Sequence, residues 1–249
     1  MIKILYCNNK KYLSKLSKLL IKRKSNDKIS KSVVAKIIND VKNNGDKAVV
    51  KYEKKYNKND EIIANKKKIS KSIRSLDPKI KKAIDFAYNR VYKFHAKQKV
   101  KNIFYKDNLH NKLYYKYRPI DSVCIYVPGG NASFPSTVLM NAIPAKIAGV
   151  KRIVMLNPKL SGKQSPGVLY AAKKVGIKEI YSIGGAQAIA AIAYGTKKIK
   201  KVNKIVGPGN IFVSAAKKEV FGDVGIDMVA GPSEITVVAD KFSNVNWVA

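Results

Sequence analysis

Between Ser32 and Val41 the apolar residues Val33, Val34, Ile37, Ile38 and Val41 recur at the spacing of one helix face, and Asn43-Asn44-Gly45 closes the run. The pattern predicts one helix here and a second from Asp46, with Ala48, Val49, Tyr52 and Tyr56 on a single stripe. A third opens at Asp77-Pro78, where an N-cap acceptor precedes a proline at the first helical position, and it carries Ile80, Ile84, Ala87, Val91 and Phe94. Short strands are expected near Ile62 and Ile69.

After residue 118 the pattern changes to short β-type apolar runs, each followed by a Gly/Pro/Ser turn and an apolar helical stretch. Strands are predicted at 122–127, 152–156, 179–183 and 203–206, with helices at 136–148, 166–175, 186–194 and 210–220. Alternation at this spacing implies right-handed βαβ units on a parallel sheet. A last run, Ile235 to Ala239, also reads as a strand. The fold class expected is α/β: a Rossmann-like parallel-sheet domain at 122–233 with helices on both faces. Before it come an arm at 1–22 and a helix-rich region at 23–121, which belongs to a second, incomplete α/β domain continued by 234–249.

Composition adds a charge problem. The 249 residues carry a formal charge of +34, which alone would suggest a nucleic-acid or anionic-surface partner. Only Arg23, Arg74, Arg90, Arg118 and Arg152 are arginines, although base reading and bidentate phosphate clamps favour that side chain. The lysine excess accompanies abundant Asn, Ile and Tyr, as in a chain drifting towards A/T-rich codons, and no nucleic-acid-binding motif goes with it. A basic, anion-binding α/β protein without catalysis is the alternative reading, and salt-dependent affinity for DNA or RNA separates the two. No run of about 18 apolar residues and no cleavable leader pattern occurs, so a soluble, cytoplasmic protein is expected, with neither membrane nor nucleic acid as partner. Cys7 and Cys124 form no motif, which excludes zinc fingers and redox CxxC pairs.

Glycine-rich turns follow the predicted strands: Pro128-Gly129-Gly130-Asn131, Gly184-Gly185-Ala186-Gln187, Gly207-Pro208-Gly209-Asn210 and Gly231-Pro232-Ser233-Glu234. At the carboxyl edge of a parallel sheet such turns form a cradle for a phosphate-bearing ligand. Neither GxGxxG nor GxxxxGK[ST] occurs, so a dinucleotide site here is a non-standard one. The polar residues beside these glycines, Tyr126, Asn131, Gln187, Asn210, Ser233 and Glu234, are mostly neutral groups that orient a ligand without moving protons. His95 ends a helix and His110 lies in a polar stretch; both read as structural or surface residues. No cluster has metal-ligand spacing.

The block Ile125-Tyr126-Val127-Pro128-Gly129-Gly130, with Phe134-Pro135-Ser136-Thr137 to Ala145, resembles the histidinol dehydrogenases. Three further blocks follow in the same order: Gly184 to Ala190, Lys204 to Asn210 and Ile226 to Glu234. The resemblance is strong over 118–241 and loose before that. It implies oxidation of L-histidinol to L-histidine through L-histidinal by two hydride transfers to NAD, late in histidine biosynthesis, in a homodimer with zinc holding the substrate. Tyr126, Gln187 and Asn210 fall on NAD-contacting positions and Ser233 on a substrate-contacting one. The family's catalytic Glu-His pair and its zinc ligands are expected beyond residue 249. The chain therefore reads as an N-terminal portion that contains no catalytic or metal-binding residue, is inactive alone and leaves an edge strand and an apolar face exposed.

Overall fold

A computed structural model describes Tyr6 and residues 11–129, 133–159, 162–229 and 235–248, with the backbone alone over 20–30. Helix α1 runs from Tyr12 to Asn57 and is broken at Gly45, whose φ of 51° and ψ of −129° are not helical. The two predicted helices are thus the halves of one kinked element, and the first begins well before Ser32. Helix α2 spans Lys66–Arg74, with the Asn65 side chain accepting from the backbone N–H groups of Lys67 and Lys68. The strand expected near Ile69 is overturned: Ile69 and Ile73 are four apart on this capped helix, which turns both inward. Near Ile62 only an isolated antiparallel bridge, Ile63 to Tyr181, is formed. Helix α3, Pro78–Lys97, starts where predicted, with the Asp77 carboxylate accepting from Lys79 N. Ile84 is buried and Ala87 and Val91 pack beside it, but Ile80 and Phe94 face outward.

A hairpin that the helix-rich reading did not foresee follows, β1 Ile103–Lys106 with antiparallel β2 Lys112–Tyr115. Both faces are exposed. Its turn is held by the Asp107 carboxylate, which accepts from the backbone of Leu109 and Asn111, while His110 takes a φ of 66°.

Five parallel strands make the central sheet: β3 Ser122–Tyr126, β4 Arg152–Leu156, β5 Glu179–Tyr181, β6 Lys204–Val206 and the short, unpredicted β7 Gly225–Ile226. Their order is β5-β4-β3-β6-β7. The connecting helices are α4 Pro135–Ala148, α5 Pro166–Val175, α6 Gly185–Tyr194 and α7 Ile211–Glu219, and a four-residue helix α8, Val245–Val248, closes the described chain. The strand expected at Ile235–Ala239 does not form: among the described residues 235–240 find no sheet edge, and Ile235 and Val238 are 88% and 92% exposed. Apolar sequence alone does not make a strand; pairing does.

The pleat divides the core in two. Cys124, Tyr126, Val154 and Leu156 face one side, where Val34, Ile37, Ile38, Val41, Val49 and Tyr52 of α1 pack with α6 and α7. Ile125, Val127 and Met155 face the other, against α3, α4 and α5. Every residue of β3 is therefore buried, as both-sided coverage of a parallel sheet demands. Burial also pushes the Cys124 thiol pKa up. Arg152 ties the far edge together, binding the Glu179 carboxylate through two nitrogens and donating to the carbonyls of Lys200 and Lys201. Replacing the fully buried Ile125 by alanine is expected to remove about 3 kcal/mol of stability by opening a cavity in the central strand, read as a lower urea midpoint at unchanged slope.

Candidate functional site

Strand order reverses between β3 and β6, the place where open parallel sheets bind ligands beyond their carboxyl ends. A cleft of about 500 Å³ lies there. Tyr126 at the end of β3, Gln187 in the first turn of α6 and Asn210 at the start of α7 all line it, so three positions far apart in sequence meet on one cavity. Val33, Ile37, Pro128 and Pro158 give it apolar walls. Ser233 lies outside the described residues, as do Asn131 and Glu234.

The turn after β6 must be glycine. Gly207 has a φ of 104°, and a Cβ there would lie 2.3 Å from the Tyr126 carbonyl oxygen. Both of its backbone groups are held by an ion pair between the buried Lys217 and the more exposed Asp227: Asp227 Oδ2 accepts from Gly207 N at 2.8 Å, and Lys217 Nζ donates to Gly207 O at 2.9 Å while pairing with Asp227 Oδ1. Asn210 then caps α7, its Oδ1 accepting from Val213 N at 3.0 Å.

On the β5 side the anchor is Glu53, a buried residue of α1. Its Oε1 accepts from Gly184 N at 2.9 Å and from Gln187 Nε2 at 2.8 Å, and its Oε2 from Asn57 Nδ2 at 2.8 Å. Burial raises its pKa, and these hydrogen bonds oppose the rise without cancelling it. The Tyr126 hydroxyl accepts from Gly185 N at 3.2 Å, and burial pushes its pKa up to about 12, so it keeps its proton at neutral pH. Lys159 links the rim to the end of α1, donating to Asn59 Oδ1 and pairing with Glu61, whose pKa this contact lowers.

Sequence reasoning missed Glu53, Lys217 and Asp227. A signal was present: Glu53 stands four residues after Val49, and Lys217 four after Val213, each on the buried stripe of its helix. A charge at a core position of an amphipathic helix needs a partner, and here each has one. His95, bonded to Gln98, and His110, in the hairpin turn, do not line the cleft. Among the described residues no group of three His, Cys, Asp or Glu could hold a metal ion, and no helix is long and apolar enough to cross a membrane.

A parallel sheet whose strand order reverses beneath a glycine-rimmed cleft defines a doubly wound α/β protein of the Rossmann type. Residues 20–249 match the family model described as histidinol dehydrogenase. The chain belongs to the histidinol dehydrogenase family. It is 71% identical over 181 residues to the histidinol dehydrogenase of Pelagibacter ubique (strain HTCC1062), covering 72% of this chain and 42% of that protein. With the enzyme of Rhizobium meliloti (strain 1021) it shares 52% identity over 178 residues, 72% of this chain and 41% of that one. The crystal structure of histidinol dehydrogenase from Elizabethkingia anophelis superposes with a TM-score of 0.80 at 41% identity, over 87% of this chain and 51% of that chain. The matched regions thus span about two-fifths of the curated relatives' length.

Gly207→Ala is expected to cost more than about 3 kcal/mol, since the methyl group meets backbone and the left-handed φ is strained as well; chemical denaturation checks it. For Glu53 the raised folded pKa means that the native state holds its proton more tightly than the unfolded chain. Its contribution to stability therefore falls as pH rises from about 4.5, the ordinary glutamate value, through the folded pKa, and is level above that. Glu53→Gln removes this slope. Urea denaturation from pH 4 to 8 should show the variant gaining on the wild type as pH rises, then holding a constant difference.

Proposed function

We propose that the cleft binds NAD, and that this chain is the cofactor-binding part of a histidinol dehydrogenase. The observation that carries the reading is the meeting of Tyr126, Gln187 and Asn210 on one cavity at the switch point of the sheet. Its apolar walls suit a nucleoside, and among the described residues the one charged group lining it, Lys159, is a cation that does not repel the cofactor's diphosphate. Bound NAD would supply the hydride acceptor. The chain's own residues hold and orient it: Tyr126 offers a phenolic proton that stays in place at neutral pH, Gln187 an amide fixed by Glu53, and Asn210 the capped start of α7.

By its family the full reaction is oxidation of L-histidinol through L-histidinal to L-histidine, the end of histidine biosynthesis, with two NAD reduced. Ser233 is the substrate contact in this reading. Residues 122–233 form the NAD domain, and 23–121 with 234–249 belong to a companion domain that lends α1 to the sheet. The functional unit is a cytoplasmic homodimer. Zinc is the family's metal, but the described residues offer it no donor set, so no step is assigned to it.

Titration of the chain with NAD, followed by calorimetry, tests the cofactor site. Saturable binding is expected, weakened about tenfold by Gln187→Ala through loss of one ligand hydrogen bond. Absence of NAD binding by the folded wild-type chain would overturn the reading.

A further inference from the structure

We propose that Glu53 sets the base specificity of the cleft: by holding the amide nitrogen of Gln187 it leaves the Gln187 carbonyl oxygen for the ligand, beside the donor hydroxyl of Tyr126. That edge accepts a 6-amino purine and rejects a 6-oxo purine. The proposal rests on the dinucleotide reading of the same cleft.

An amide side chain can present either end, so something must fix which one faces the ligand. Here the fixed element is the backbone N–H of Gly184, which can only donate and which occupies Glu53 Oε1 at 2.9 Å. The same oxygen takes Gln187 Nε2 at 2.8 Å. If the carboxyl group protonates it does so on Oε2, and Oε1 remains an acceptor. Gln187 therefore turns its nitrogen to Glu53 in both charge states.

Its other end is left over. Gln187 is only 2% exposed and lines the cleft, yet no described residue donates to its Oε1. That oxygen is also absent from the fully buried atoms without a partner, Asn157 Oδ1 and Ser182 Oγ. A ligand in the cleft can reach it. The Tyr126 hydroxyl accepts from Gly185 N at 3.2 Å, and among the described residues no acceptor takes its proton. Both groups flank Gly185: Gln187 Oε1 lies 2.9 Å from where that residue's Cβ would be.

One acceptor and one donor, both at Gly185 and between apolar walls, suit the edge of adenine, where an exocyclic amine adjoins a ring nitrogen. Hypoxanthine carries a carbonyl in place of the amine and would set acceptor against acceptor, a mismatch that buried sites penalise.

The test compares binding of NAD with that of nicotinamide hypoxanthine dinucleotide, which differs only at this position of the base. The wild-type chain should bind NAD at least about tenfold more tightly. Glu53→Met frees the Gln187 amide to turn and should cut the preference below about threefold, whereas Glu53→Gln, whose own carbonyl oxygen can take the place of Oε1, should restore it. If Glu53 only supports the fold, Glu53→Met weakens both ligands alike and the ratio stays, which overturns the proposal. Gln187→Met removes the acceptor without disturbing Gly184 and carries the same expectation, so the result is readable even if the Glu53→Met chain does not fold. Equal wild-type affinities overturn the specificity alone and leave the dinucleotide site standing; binding of neither ligand sinks both.

Discussion

A parallel sheet exposes two apolar faces, and each must be covered or the strands do not persist. In this chain the constraint is met unevenly. One face receives α3, α4 and α5, while the other, over β3, β4 and β6, is closed by α6, α7 and both helical lengths of α1. That demand brings a helix from the start of the chain to the carboxyl edge of the sheet. Val33, Ile37, Tyr56 and Asn57 come to the cleft with it, and Glu53 comes to the Gly184 turn. The cleft is thus a by-product of covering the sheet, and its polar geometry is set by a residue, Glu53, on the helical stripe that also carries the core residues Val49 and Tyr52.

The parallel-sheet part was legible because its strands are buried on both sides and read as short continuous apolar runs between glycine turns. The helices after them begin and end within a residue or two of expectation, helped by Gly149 and Gly176, which end α4 and α5 in left-handed conformation. The hairpin β1–β2 was illegible for the opposite reason. All eight of its positions are exposed, so no burial pattern distinguishes it from a polar loop. Ile235–Ala239 shows the converse error, an apolar alternation with no partner edge among the described residues. At the site, the neutral orienting residues stood beside glycine turns and were found. Glu53 and Lys217 stood on helical stripes, where a single charge reads as an interruption of the core and not as its anchor.

The lysine excess separates into two populations. Most of the described lysines lie on the surface. Lys217 and Lys159 are withdrawn from water and each closes a turn at the carboxyl edge of the sheet, one after β6 and one after β4. For these two the charge is a structural bond, and removing the carboxylate leaves an ammonium group withdrawn from water without its counter-charge. The formal charge of the chain therefore says little about its partners, whereas the position of two charges among fifty says how the rim is built.

Cys124 sits at the midpoint of the central strand, between β4 and β6 and beneath α1, with no exposed surface. A sulfur so placed is chemically silent while the strands are together. Its alkylation becomes a clock for the rarest motion of the molecule, the parting of the sheet at its centre, and separates that event from the fraying of the outer hairpin.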